Sequence, residues 1–227
     1  MSEFLFVTDV SPYRDASGAA RLAGVHHSLP SAVVTAEQIA RQQQLSFRHV
    51  ARAADLSVAD LKRARLLMLF TIGETGWSGD QRAVVEERVR GGGLRFVGMH
   101  SASDSCYGWP AYGEFTGARF AGHPVTGVLR VQVLDDSHPA TRHLPATWPF
   151  NEELYLFSDL AEDRHDLLGL EFGRSHDGTP GQVLPLAWFI ERGPMRSFYT
   201  ALGHFGAAYE NVDFVRHLGG GVSWALS

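Results

Sequence analysis

Three apolar runs constrain this chain more than any other feature: FLFVTDV (4–10), RLLMLFT (65–71) and LRFVGMH (94–100). None of them alternates polar with apolar residues. A strand of that kind must be buried on both faces, which is the situation of a parallel sheet covered by helices. The segments between them fit. FRHVARA (47–53) reads as a further strand, and VADLKRA (58–64) as a short helical turn. SAVVTAEQIARQQQ (31–44) has helical spacing, with Ser31 placed to cap it after Pro30. Ser78 and Gln81 form a capping-box pattern ahead of DQRAVVEERVR (80–90), and the glycines 91–93 stop that helix. Alternating strand and helix predicts an α/β fold of three layers, a mainly parallel central sheet with helices on both faces. Ligands of such sheets sit at the carboxyl ends of the strands. Asp9, the loop Thr71–Trp77 and His100 all fall at such ends.

Beyond residue 104 the pattern changes. SCYGWPAYGEFTGARFAGHP (105–124) is aromatic and glycine-rich with no clean period, and reads as a long loop or a helix-plus-loop excursion. Strands are expected at 127–135, 152–160, 166–172, 184–191 and 196–204, and a terminal helix at 211–227 with a glycine run weakening its middle. No linker divides the chain, so one domain spanning 1–227 is expected.

The balance of 20 basic and 25 acidic residues leaves no basic face for nucleic acid. One cysteine, Cys106, excludes an internal disulfide and a thiolate zinc site. No apolar run approaches the ~20 residues of a membrane span, and the first residues are too acidic for a leader peptide. A cytoplasmic protein with no nucleic-acid or membrane partner is the expectation. Self-association into a homo-oligomer stays open.

At RVRGGGLRFVGMHSASDS the chain becomes recognisable. Gly91 to Gly93, Gly98, His100, Ser101, Ala102 and Asp104 resemble a signature of the trehalose-utilisation (ThuA-like) family, which is related to the class I glutamine amidotransferase fold. The likeness continues through Tyr107, Trp109, Tyr112, Gly117, Ala118, Phe120, Gly122, His123 and Pro124, then His138-Pro139, Glu153 with Tyr155, and Gly203-His204. Two departures stand out. The family's acidic pair usually begins with Asp and here begins with Glu152; its Gly-Lys-Gly turn is replaced by ERGPMRS (191–197). The resemblance implies a flavodoxin-like topology and a role on a disaccharide or an oxidised (keto) sugar.

In related amidotransferases a sharp strand-to-helix turn holds a nucleophilic cysteine; here that place resembles His100. A histidine can be a base, a metal ligand or a hydrogen-bond donor, but not a ready acyl acceptor. Amidotransferase activity is therefore not expected. The resemblance makes His100, His204 and Glu153 the catalytic candidates and His26, Asp104, Tyr107, Trp109, His123 and Tyr155 the substrate-binding ones. Each also has a plain structural reading: a bonded core histidine, a turn residue, a capping acid, an aromatic plug. No cofactor is certain; a divalent metal held by His100, His204 and Glu153 is the one candidate, and spacing gives it no support. The alternative to an enzyme is a non-catalytic module binding a sugar or small metabolite in the same pocket.

Overall fold

The computed structural model describes residues 3–11, 13–14, 20–21, 26–172 and 181–227. The strands are β1 (Glu3–Val7), β2 (Tyr13–Arg14), β3 (Ala20–Arg21), β4 (Ser46–Val50), β5 (Ala64–Leu69), β6 (Arg95–Met99), β7 (Arg119–Gly122), β8 (Thr126–Val133), β9 (Thr147–Glu153), β10 (Leu156–Ser158), β11 (His165–Phe172), β12 (Gln182–Arg192) and β13 (Met195–Thr200). The helices are α1 (Leu29–Gln42), α2 (Val58–Arg63), α3 (Gly79–Arg90), α4 (Pro110–Thr116) and α5 (Val212–Leu226).

Nine strands form one sheet in the order β4-β1-β5-β6-β13-β12-β11-β8-β9. The first five run parallel, and the rest extend the sheet antiparallel. Burial explains the division. Phe4, Leu5, Phe6 and Val7 of β1 are all sealed from solvent, as the unbroken apolar run demands, and each contributes about 1.5–3 kcal/mol. By contrast β8 alternates, with Val128 and Arg130 exposed and Leu129 and Val131 buried, so one face of that extension meets water.

Register fixes the layers. Gly98 of β6 pairs with Tyr199 of β13, and Val97 with Phe198. Phe96, on the Gly98 face, packs its ring on Tyr112 and Phe115 of α4. Phe198, on the other face, meets α5 at Gly221. Helices therefore cover both faces of the parallel part.

Several expectations need correction. Helix α1 begins at Leu29, two residues early, with Pro30 in its first turn; Ser31 lies inside it, so it caps nothing. β4 stops at Val50, because the chain turns into a 3-10 helix at Ala53–Asp55. The excursion after residue 104 contains α4 and β7. The strand expected over 152–160 breaks at Leu154 and Tyr155: β9 belongs to the main sheet, whereas β10 pairs with β7 in a separate two-stranded ribbon. The capping box at Ser78 is present, with Ser78 N–H donating to Gln81 Oε1 at 2.7 Å. A second one, at Ser57 and Asp60, begins α2.

The glycine run of α5 does not interrupt it; the helix is continuous to Leu226. A Cβ on Gly220 would overlap the Pro139 carbonyl, and one on Gly221 would overlap the Phe198 ring. These glycines let α5 lie close against the sheet. Gly221→Ala should therefore cost about 1–3 kcal/mol through overpacking, despite alanine's better helix propensity. A lowered urea midpoint with unchanged slope would show it; a raised midpoint would refute the account.

Candidate functional site

The parallel strands deliver their carboxyl ends to one edge. β6 ends at Met99, and His100 opens a 3-10 turn over His100–Asp104 with φ +46°. A histidine in the left-handed region is strained and must be held there by its surroundings. Three contacts do so. The Tyr199 hydroxyl donates to the His100 carbonyl at 2.6 Å, Nδ1–H donates to the Ala201 carbonyl at 2.8 Å, and the Tyr155 hydroxyl donates to Nε2 at 2.9 Å. Gly98 makes room, since a Cβ there would stand 2.9 Å from the Tyr199 ring. The Ala201 bond fixes the tautomer: the proton is on Nδ1 and the lone pair on Nε2.

His204 does not close its strand as expected. β13 ends at Thr200, and His204 lies in the following turn. A carboxylate holds that turn. Glu152, fully buried, accepts from the N–H groups of Gly203 (2.5 Å) and His204 (3.1 Å) with one oxygen, and from Glu153 N–H (2.9 Å) with the other. Burial pushes Glu152 up to about 7, against the pull of those N–H groups. Gly203 sits at φ +123°, a conformation glycine accepts without penalty.

So placed, His204 Nδ1 lies 3.2 Å from His100 Nε2 and 3.3 Å from Glu153 Oε2. Glu153 Oε2 is also 3.7 Å from His100 Nε2, and its other oxygen is 3.7 Å from His123 Nδ1. The ribbon β7–β10 supplies this last neighbour by bringing the segment after Gly122 beside Tyr155. His26, just ahead of α1, completes the group: its ring centroid is 4.8 Å from that of His100 and 5.2 Å from that of His204. Phe70, just past β5, packs against both His26 and His100.

The electrostatics divide these rings. Desolvation, then the neighbouring imidazoles, drive His100 well below the ordinary histidine range. Desolvation, then the charge of His204, lowers His26 to about 4. The hydrogen bond to Glu153 raises His204 despite its partial burial. For Glu153, desolvation acts upward, but the hydrogen bond from His204 and the charge of the surrounding histidines outweigh it and lower the group. At neutral pH the set is two neutral imidazoles, one that titrates above its usual range, and one carboxylate. Their exposure differs as well. His100 is sealed, whereas the side chains of His204 and His123 are 28% and 49% exposed.

The remaining candidates separate. Asp104 is buried and accepts from the Tyr107 hydroxyl at 2.6 Å, and Tyr107 keeps part of its ring in solvent. Trp109 is corrected. It is 3% exposed, its Nε1–H donates to Glu86 of α3, and its ring packs on Trp77 and Tyr112, which leaves no face for a sugar to stack on. Tyr155 is equally buried and touches the site through its hydroxyl. Cys106 is buried against Thr75 Oγ1 at 3.1 Å and pushed up to about 11 by burial, so it remains a thiol. Sequence reasoning missed Glu152. The acidic pair was the available signal, since two adjacent carboxylates ending a strand are costly unless both find partners.

The structure is thus a three-layer α/β sheet with a histidine–carboxylate cluster at the carboxyl edge of its parallel strands. This chain belongs to the ThuA family, described as trehalose utilisation, which matches residues 19–225. A ThuA-like protein from Parabacteroides merdae superposes with a TM-score of 0.70 at 18% identity, covering 100% of this chain and 91% of that one. One from Bacteroides uniformis gives 0.68 at 18% identity, covering 98% and 91%. The α-L-fucosidase isoenzyme 2 of Paenibacillus thiaminolyticus gives 0.58 at 10% identity over 100% of this chain and 33% of that one. At these identities the likeness establishes fold alone. No curated protein matches the chain. Among the described residues no helix is long and apolar enough to cross a membrane.

Proposed function

We propose that this protein is an enzyme that moves protons on a disaccharide or oxidised sugar, with His204 as the acid–base group and Glu153 as its partner. The observation that carries the reading is the position of His204 Nδ1, within hydrogen-bond reach of both His100 Nε2 and Glu153 Oε2 while the ring still meets solvent. The family description supports the substrate class.

The proton positions follow from the partners. His204 Nδ1–H points at Glu153, which leaves Nε2 as the working nitrogen. As a base, Nε2 takes a proton from a hydroxyl or from a carbon beside a carbonyl. The resulting imidazolium is stabilised by the carboxylate, and the proton returns to the product. A group titrating near the working pH suits both halves of such a cycle, a contribution on the order of 10²–10⁴ in rate. His100 cannot reach a substrate from its sealed place. It positions: its ring, fixed by Ala201 and Tyr155, stands 3.2 Å from His204 Nδ1 and limits where that ring can sit beside Glu153. His123, exposed beside Glu153, stands where it can donate to a sugar hydroxyl.

Turnover of disaccharides and their keto derivatives, compared between the native chain and Glu153→Gln, tests the reading. Glu153 raises His204, so its loss should move the pH–rate limb that His204 sets to lower pH, whether that limb rises or falls. The same pairing stabilises the fold below the ordinary histidine pKa and is lost as pH rises through the raised one. A limb unmoved by Glu153→Gln would dismiss the assignment.

A further inference from the structure

We propose that His26, His100 and His204 together bind a divalent first-row transition ion, zinc by preference, with Glu153 beside the fourth coordination position. The inference deepens the sugar-site reading above and rests on it for what the ion would act upon, but its test reads ion binding alone.

The argument begins with distance. One ring nitrogen from each of the three histidines lies within 4.8 Å of the others. Tetrahedral zinc with Zn–N bonds of about 2.0–2.1 Å asks for nitrogens roughly 3.3 Å apart. His100 Nε2 and His204 Nδ1 already stand 3.2 Å apart, so only His26 has to close in.

Orientation comes next. A metal-binding histidine usually donates its other N–H to a carbonyl or carboxylate, which fixes the tautomer and aims the lone pair. His100 does this through Ala201, so its Nε2 faces the cluster as an acceptor. The Tyr155 hydroxyl that now donates to Nε2 would turn aside on loading. His204 would coordinate through Nδ1 as its other tautomer, with the proton on Nε2; in the loaded chain it therefore holds the ion and donates, and Glu153, released from it, is the base.

His26 supplies an independent observation. Its Nε2 is buried and has no hydrogen-bond partner among the described residues. An imidazole nitrogen left so costs free energy of about 1–3 kcal/mol unless something completes it. That nitrogen belongs to a ring set at van der Waals range of both other histidines. An ion would satisfy it.

The donor set selects the ion. Three imidazoles with a neighbouring carboxylate and no thiolate suit Zn, Mn, Fe or Co, and a site with three protein ligands leaves a position for water or substrate. Glu153 Oε2, 3.3 Å from His204 Nδ1 and 3.7 Å from His100 Nε2, is within reach of a group held there. The ion's chemistry would be to polarise a carbonyl or hydroxyl oxygen of the sugar.

The experiment uses the full chain, purified without a histidine tag and stripped with chelator. Co²⁺ serves as the visible probe, with Zn²⁺ in competition. The expected result is one Co²⁺ per chain with the strong visible absorption of four-coordinate cobalt, bleached by Zn²⁺. The melting temperature should rise roughly 5–10 °C at an ion concentration a hundred times the Kd. His26→Gln should weaken binding roughly 10–100-fold, while Cys106→Ala binds as the native chain does. His26 is only partly buried, so its variant tests the site without emptying the core. Binding well below one ion per chain, or equal affinity in His26→Gln, His204→Asn and the native protein, would overturn the proposal. Ion binding without any sugar turnover supports the site and removes the acid–base reading instead.

Discussion

His204→Asn is expected to lower kcat/KM on any sugar the protein turns over by about 10²–10⁴-fold, with the melting temperature little changed. The two readouts separate because the ring and the backbone of this residue do different things. Glu152 holds the turn through the backbone N–H groups of Gly203 and His204, which asparagine retains. The ring is partly in solvent and packs edge-on against Phe205, so little apolar burial is lost. What disappears is the proton carrier beside Glu153. An asparagine variant that melts far lower would show that the ring is structural. One that keeps full activity would assign the chemistry elsewhere.

The second large effect is acid lability. His217 of α5 is fully buried, bonded to the Ala140 carbonyl at 2.9 Å and to Thr200 Oγ1 at 3.1 Å, and burial lowers it to about 3. His26 is lowered to about 4. Both are neutral in the folded chain and titrate near 6.5 when it unfolds. The sign follows: stability is full above pH 6.5 and falls with pH down to the folded values. By pH 4 each group costs on the order of 3 kcal/mol, a large part of a total that is typically 5–15 kcal/mol. His100, lowered by the same desolvation, acts in the same direction. Glu152, raised to about 7, acts oppositely, holding its proton in the folded state as pH falls toward 4.5. The histidines outnumber it, so the net slope is downward. Urea unfolding at pH 7 and pH 4.5 should show the loss, and His217→Gln should remove a visible part of it. Equal stability at the two pH values would contradict the assigned burial.

The same comparison of residues shows what was legible beforehand. The parallel strands were, because a strand covered on both faces needs an unbroken apolar run, and FLFV has no other use. Helix α3 was, because Ser78 and Gln81 satisfy free N–H groups locally. The place of His100 directly after β6 was, because the apolar run ends there. Trp109 was not: an aromatic residue in a glycine-rich loop reads the same whether it caps a pocket or plugs a core. Nor was the break at Tyr155, where LYLF continues the apolar pattern of β9 while the chain leaves for a different partner strand.

The linear order of residues thus determined the α/β class and the layers, since these follow from local periodicity and capping. Only the tertiary structure decided which side chains meet there. His26, His100, Glu153 and His204 come from four distant segments, and their meeting depends on strand order and on the carboxylate of Glu152 gripping two backbone N–H groups about 50 residues away. Contacts of that range have no period in the sequence, so local pattern could not announce them and only the family resemblance grouped these residues beforehand.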